Sequence, residues 1–141
     1  MNPIYLETRF KRDSENDPLF NTLEKLPDEF AIITAYATTG EHWSDLKNTE
    51  ADELLKEYLQ SHFSCVKRIT GYSSSTGHSE PGWLVNCSFE EGCDIGLSFK
   101  QDAIYWGENG DLFVSYCGLQ RSKVWVLETA FNINVSEWGD R

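Results

Sequence analysis

Segments with the pattern of strands alternate with segments of helical pattern along the middle of the chain. The stretch EFAIITAYA, at residues 29–37, is continuously apolar and rich in β-branched side chains, which is typical of a strand buried on both faces. Residues 49–63 then place apolar side chains at helical spacing behind an Asn48/Thr49 cap. Helices and strands in such an order favour the α+β class, in which helices pack against a sheet.

Two short strands and a second helix continue the alternation. The strands are predicted in CVKRITGY and GWLVNC, with the long polar loop SSSTGHSEP between them. The helix is predicted near residues 89–99, because Ser88 and Glu91 have the spacing of a capping box. Its two glycines, Gly92 and Gly96, lower helix propensity, so they indicate a helix face that lies close to the sheet.

A hairpin signal follows the second helix. Asn109-Gly110 lies between the strand-like segments AIYW and LFVSYC, and both central residues of a type I′ turn need positive φ. The resulting order of β, α, β, β, α, β, β predicts a mainly antiparallel sheet with two helices on one face. This is the ferredoxin-like split βαβ arrangement. The segment SKVWVLETAFNI is predicted to add a terminal strand.

The length and composition of the chain predict one folded domain. A chain of 141 residues, 40% of them hydrophobic, suffices for a single core. We therefore expect one domain over residues 1–141. Residues 1–28 are interpreted as an N-terminal arm that packs on it, and residues 118–141 as a C-terminal extension.

The net charge of −11 argues against a nucleic-acid partner, since phosphate binding needs a basic patch. No stretch is apolar enough to span a bilayer, and the first ten residues do not resemble a signal peptide, so we expect a soluble, cytoplasmic protein without a membrane partner.

The four cysteines are widely spaced and are expected to be reduced. His42, His62, His78 and Cys65 lack the spacing of a metal site, and no metal or cofactor is predicted.

Several ordered blocks of the chain resemble a known family. YLETRF, IITAY, EPGWLV and FKQDAIYW are similar to blocks of an uncharacterised bacterial family, domain of unknown function 3293, over roughly residues 5 to 116. The resemblance implies no activity. The chain departs from the family pattern at Tyr36-Ala37-Thr38, where the family has an aromatic residue, Asn and Pro, and at Lys100, where it has Gly.

The polar and aromatic residues that fit the family pattern are our candidate ligand-binding residues: Arg9, Thr34, Asn48, Glu80, Gln101 and Trp106. Pro81 holds the residue before it in extended conformation, so Glu80 is presented in a restricted direction at a strand entrance. One interpretation is a polar pocket shared by Arg9, Asn48, Glu80 and Gln101. The alternative is that Glu80 pairs with Arg9 and ties the N-terminus to the sheet.

Three classes of function are compatible with these residues. A module that binds a small polar or nucleotide-like ligand is favoured, because no nucleophile with a recognisable base, metal spacing or phosphate-binding loop accompanies Glu80. An acidic protein-interaction or inhibitor domain is the first alternative. A small enzyme that uses Glu80 is the second, so whether a reaction is catalysed stays open, with binding preferred.

Overall fold

The computed structural model describes residues 4–12, 27–36, 43–72 and 79–127, and within them the fold is mixed α+β with an antiparallel sheet. The helices are α1 (Ile4–Glu7), α2 (Asp45–His62) and α3 (Phe89–Ser98), and the strands are β1 (Arg9–Arg12), β2 (Glu29–Ile33), β3 (Val66–Tyr72), β4 (Ser79–Val85), β5 (Ala103–Glu108), β6 (Asp111–Tyr116) and β7 (Val124–Leu127). The seven strands form one sheet in the order β1-β3-β4-β2-β5-β6-β7. Each pair of neighbours is antiparallel.

Both long helices pack on one face of the sheet, which we call the helical face. Helix α2 contacts β3 and β4, and α3 contacts β2 and β5. Ala31 and Ile33 of β2 point to this face and join one buried cluster with Leu55 and Leu59 of α2. The adjacent residues of β2 point to the other face, because side chains alternate along a strand. The continuous apolar pattern of this segment therefore reflects burial on both faces, as the sequence predicts.

The second face is concave, because the sheet curls. Three strands lie between β1 and β5 in the sheet order, yet the ring centroids of Phe10 in β1 and Tyr105 in β5 are 4.9 Å apart in an edge-to-face contact. Phe10 joins a second buried cluster on this face with Phe30 and Ile32 of β2. The curl thus buries apolar side chains on the concave face.

The local signals in the second half of the chain are confirmed. Ser88 and Glu91 form both hydrogen bonds of a capping box at the start of α3. A Cβ atom on Gly96 would lie 2.5 Å from the Cys117 sulfur, so the close approach of α3 to the sheet requires a glycine there. Asn109 and Gly110 have φ angles of 52° and 85°, as the hairpin between β5 and β6 requires.

Two boundaries differ from the sequence prediction. Helix α2 begins at Asp45, because the Ser44 side chain accepts a hydrogen bond from the Lys47 amide and caps it; Asn48 is therefore inside the helix. Strand β4 begins at Ser79, so the end of the predicted polar loop belongs to the strand. Pro81 is tolerated there because the pairing of β4 with β2 ends at Trp83, and the missing N–H of the proline leaves no gap in that ladder.

The segments at the two ends of the chain contribute to the sheet. Residues 4–12 of the predicted N-terminal arm form α1 and β1, and β1 pairs with β3 at the edge. The predicted terminal strand is present as β7, which pairs with β6. The remainder of SKVWVLETAFNI lies outside the described residues. Within the described ranges, none of the helices combines the length and apolar character needed to cross a membrane.

Candidate functional site

Five of the six sequence-predicted residues lie at one end of the sheet, which we call the polar end: it is the end at which β2 finishes and β4 and β5 begin. Thr34 directly follows β2, and Asn48 lies in the first turns of α2. Glu80 and Gln101 lie at the starts of β4 and β5, and Arg9 begins β1. The antiparallel order of the strands brings these positions to the same edge, although they are far apart in the sequence.

The strand register places Arg9 and Glu80 on opposite faces of the sheet. Arg9 is opposite Tyr72 of β3, whereas Glu80 is opposite the adjacent residue, Gly71. Side chains of adjacent residues point to opposite faces, so Arg9 belongs to the helical face and Glu80 to the concave face. One Arg9 guanidinium nitrogen donates to the carbonyl of Thr8 at 3.5 Å. The register therefore separates the two residues that the sequence suggested as partners.

Gln101 is held rigidly at the polar end. The residue is 6% exposed, and its side-chain amide nitrogen donates to the carbonyl oxygens of Tyr36, at 2.8 Å, and Phe99, at 3.2 Å. The Tyr36 amide donates in turn to the Thr34 hydroxyl oxygen at 3.2 Å. Thr34 and Gln101, two of the predicted residues, are thus connected through the backbone of Tyr36.

A charged network lies beside Tyr36 on the helical face. The Asp52 carboxylate oxygen Oδ1 accepts a hydrogen bond from Arg68 Nη1 at 2.7 Å and another from the Trp83 indole at 3.0 Å. The Arg68 guanidinium also lies over the Trp83 ring, 4.3 Å from its centroid. Asp52 is 7% exposed and Trp83 is 8% exposed. We call these three residues the Asp52 trio; it fixes helix α2 to strands β3 and β4.

The surroundings of the Tyr36 hydroxyl shift its pKa. Burial raises its pKa, the negative charges of Asp52, Asp45 and Glu80 raise it further, and the positive charge of Arg68 opposes them. The phenol therefore stays protonated at neutral pH and acts as a hydrogen-bond donor. Asn48 lies one helical turn before Asp52, so it faces the same region of the polar end.

A cavity of about 560 Å³ opens at the polar end beside Gln101. It is lined by Tyr5, Leu97, Gln101, Asp102, Tyr116, Gly118, Leu119 and Gln120. The wall therefore combines α1, the last turn of α3, the two residues before β5, the end of β6 and the segment after it. Leu119 protrudes fully into solvent at the rim, and Leu97 is half exposed.

Trp106, the sixth predicted residue, lies elsewhere. It is 1% exposed and packs edge-to-face against Phe89 in the core of the helical face. Its indole nitrogen donates to Glu108 Oε1 at 2.6 Å, and Lys123 Nζ contacts the same oxygen at 2.6 Å. We call Glu108, Trp106 and Lys123 the Glu108 trio; it lies at the end of the sheet opposite the polar end.

The sequence reasoning missed Asp52 and Arg68. Asp52 lies at helical spacing with Leu55 and Leu59, so it is a carboxylate within the apolar stripe of α2. A charged side chain in such a stripe indicates that it has a buried partner, so the position of Asp52 was the sequence signal for this site. Its partner, Arg68, could not be identified in this way, because it lies on a half-polar strand.

The four cysteines and His62 lie in the described part of the chain. None of the four cysteines forms a disulfide bond with another described cysteine. Burial raises the pKa values of Cys87 and Cys117 to about 12, so both are protonated and weakly nucleophilic at neutral pH. No group of three His, Cys, Asp or Glu side chains in the described part of the chain could hold a metal ion. His42 and His78 lie outside the described residues.

Comparison with known proteins gives a family without an assigned activity. A family model described as "Protein of unknown function (DUF3293)" matches residues 33–104, which run from the end of β2 into β5 and include Thr34, Asn48, Glu80 and Gln101. No curated protein and no solved structure is significantly similar to the chain.

Proposed function

The chain belongs to the family described as Protein of unknown function (DUF3293), and from that premise we propose that it binds a small polar ligand in the cavity at the polar end. The proposal rests on Gln101. This side chain is almost fully buried, lines the cavity and donates both of its amide hydrogens to backbone carbonyls. Its carbonyl oxygen Oε1 accepts no hydrogen bond from the described residues, so a buried acceptor is left for a ligand.

The dimensions and lining of the cavity support a small-molecule ligand. A volume of about 560 Å³ is within the usual range of ligand pockets, roughly 300 to 1,000 Å³. Tyrosine rings and leucine side chains supply apolar surface, and the amides of Gln101 and Gln120 supply directional polar groups. Pockets that bind small molecules combine these two kinds of surface.

The surrounding hydrogen bonds hold Gln101 in place before a ligand arrives. The carbonyl that accepts from its amide belongs to Tyr36, whose own amide is bonded to Thr34. The Asp52 trio holds α2 on the sheet next to this segment. A binding group that is already ordered loses little conformational entropy when the ligand binds.

Binding is favoured over catalysis by the chemistry of the lining residues. Asp102 is the only acid among them, and no histidine, cysteine or serine of the described chain lines the cavity. Proton transfer or nucleophilic attack needs such a group within hydrogen-bond reach of the substrate. Glu80, the acid of the enzyme alternative, lies on β4 and is not part of this lining.

We also propose that the site is built on a ferredoxin-like unit. The central strands have the order β3-β4-β2-β5, are antiparallel throughout and have α2 and α3 as their crossover connections. This order supports a split βαβ arrangement, to which β1 is added on one side and β6 and β7 on the other. On this proposal the cavity lies where the added strands meet the unit.

Nuclear magnetic resonance with a library of neutral, cationic and anionic polar fragments tests the binding function. We expect at least one fragment to shift the amide signals of residues 97, 101–102 and 116–120 with saturation. Gln101→Ala abolishes this response, and the matched control Gln60→Ala, on the exposed side of α2, leaves it unchanged. Leu119→Ser weakens binding without affecting the fold, because Leu119 lines the cavity but is fully exposed.

The fragment experiment can also contradict the proposal. If no fragment of any charge class shifts these signals, the cavity does not bind small molecules and the function is wrong. If fragments instead saturate signals around Glu80 on the concave face, the enzyme or interaction alternatives take its place. The thermal stability of each variant shows whether a lost response reflects lost binding or an unfolded chain.

A further inference from the structure

We propose that the cavity selects a planar aromatic ligand that donates N–H hydrogen bonds and has no negative charge, such as a nucleobase or an aromatic amide or amidine. This inference rests on the proposed function and specifies its ligand class. It replaces the broad expectation of a nucleotide-like ligand with a narrower one, in which the base is bound and a phosphate is not.

The direction of hydrogen bonding follows from the orientation of Gln101. If the nitrogen and oxygen of the Gln101 amide were exchanged, the oxygen would lie 2.8 and 3.2 Å from two carbonyl oxygens. Neither carbonyl could donate to it, so both hydrogen bonds would be lost. The nitrogen must therefore face Tyr36 and Phe99. The group left to face a ligand is Oε1, an acceptor, so the ligand must supply the donor.

The charge of the lining gives the same preference. Asp102 has the only full charge among the described lining residues, and that charge is negative. Arg121 lies directly after the lining residue Gln120, but it is held by Glu90 and Asp94 and by the carbonyl of Cys117. Lys100 is exposed and does not line the cavity. A phosphate or carboxylate would thus enter against Asp102 without a cation to compensate.

The flat shape of the ligand is inferred from the apolar part of the lining. Tyr5 and Tyr116 contribute aromatic rings, and Leu97 and Leu119 contribute aliphatic surface. Tyr5 is itself fixed, because its ring meets Tyr105 edge-to-face and its carbonyl accepts from the Tyr105 hydroxyl at 2.8 Å. Planar heterocycles stack on tyrosine rings and place their N–H groups at the ring edge, where Oε1 can accept them.

Four small probes of similar size separate the contributions: benzamidine, benzamide, benzoate and toluene. Titration monitored by the amide signals of residues 97, 101–102 and 116–120 gives a dissociation constant for each. We expect benzamidine and benzamide to bind, and benzoate to bind at least about tenfold more weakly than benzamidine, a difference of about 1.4 kcal/mol. Toluene, which has no donor, is expected to bind more weakly than benzamide.

Substitution of Asp102 tests the charge argument without disturbing the core. Asp102 is exposed, so Asp102→Asn keeps the fold. It is expected to reduce the preference for benzamidine over benzamide by about threefold, the size of a weakly screened charge interaction. The matched control Asp28→Asn, exposed just before β2 at the opposite end of the sheet, leaves that ratio unchanged.

The outcomes separate this inference from the function on which it rests. Benzoate binding as tightly as benzamidine, or toluene as tightly as benzamide, would overturn the ligand class, while the cavity would remain a binding site. The same holds if library fragments bind there but neither N–H donor does. If neither the probes nor any library fragment binds, the function and the ligand class both fail, and solvent alone satisfies Gln101.

Discussion

Each end of the sheet contains a trio of a carboxylate, an indole and a cation, and the surroundings of the two trios differ. In each trio one carboxylate oxygen accepts from an indole N–H and from a cation, and the cation lies over the indole ring. The side chains of Asp52 and Arg68 are 10% and 27% exposed, whereas those of Glu108 and Lys123 are 24% and 37% exposed. Asp52 also joins a helix to two strands, while Glu108 is two residues from its tryptophan on one strand. The two trios should therefore contribute unequally to the stability of the fold, although their hydrogen-bonding patterns are similar.

Replacement of Asp52 by Ala is expected to have the largest effect. It leaves the Arg68 guanidinium and the Trp83 indole without their shared acceptor in a buried position, and the free energy of unfolding should fall by about 3 kcal/mol. Urea denaturation measures this loss. Asp52→Asn, which keeps an oxygen for the indole, should lose less. A loss for Asp52→Ala no greater than that for Glu108→Ala would show that burial does not distinguish the trios.

Exchange of the cations is expected to have an intermediate effect. Arg68 Nη1 bonds Asp52 and approaches the Gly82 carbonyl, while the planar group covers the Trp83 ring. Lysine cannot reproduce this arrangement, so Arg68→Lys should cost about 1 kcal/mol of unfolding free energy. The reciprocal change, Lys123→Arg, should be close to neutral. Equal losses of unfolding free energy for Arg68→Lys and Lys123→Arg in urea titrations would contradict the expected difference between the two trios.

Acid should weaken the Glu108 trio. Hydrogen bonds from Lys123 and Trp106 lower the pKa of Glu108 below its ordinary value. A carboxyl group with a lowered pKa in the folded state stabilises the protein above its unfolded pKa, and this contribution is lost as the pH falls through the folded pKa. The urea midpoint of the parent should thus fall more between about pH 5 and pH 3 than that of Glu108→Gln. Parallel decreases in the two proteins would show that Glu108 does not contribute.

The smallest effect is expected for the contribution of Lys123 to stability, and this contribution should depend on salt. This side chain is exposed by more than a third, and an ion pair of that kind contributes roughly a few tenths of a kcal/mol. The loss of stability in Lys123→Ala should therefore disappear at about 0.5 M NaCl, because the charges are screened. The loss in Asp52→Ala should persist there. Persistence of both losses would mean that Lys123 acts through its contacts with the Phe89 and Trp106 rings rather than through its ion pair with Glu108.

Local signals in the sequence predicted the local structure well. The capping box of Ser88 and Glu91 and the Asn109-Gly110 turn depend on neighbours within three residues, so their patterns were sufficient. The start of α2 was misplaced because Asn48 and Ser44 are both good capping residues, and the sequence alone does not show which of them binds a backbone amide.

The candidate site could be predicted only in part, because its contacts are distant in sequence. Gln101 was identified, but its partner Tyr36 lies 65 residues away. Arg9 and Glu80 were grouped because both are polar and lie near strand starts. They lie on different faces because Arg9 pairs with Tyr72 of β3 and Glu80 pairs with the residue before it, Gly71. No sequence pattern of β1 or β4 specifies this one-residue difference in register.

The curl of the sheet also has a consequence for the order in which the structure forms and opens. The hydrogen bond from the Tyr105 hydroxyl to the Tyr5 carbonyl closes a loop of 100 residues, and Phe10 meets the same ring. Such a contact can form only after β3 and β5 have joined the sheet, since its closure entropy is not offset earlier. Residues 4–12 should therefore dock last during folding. In the native protein their amide hydrogens should exchange with solvent through a local opening that leaves the central strands protected.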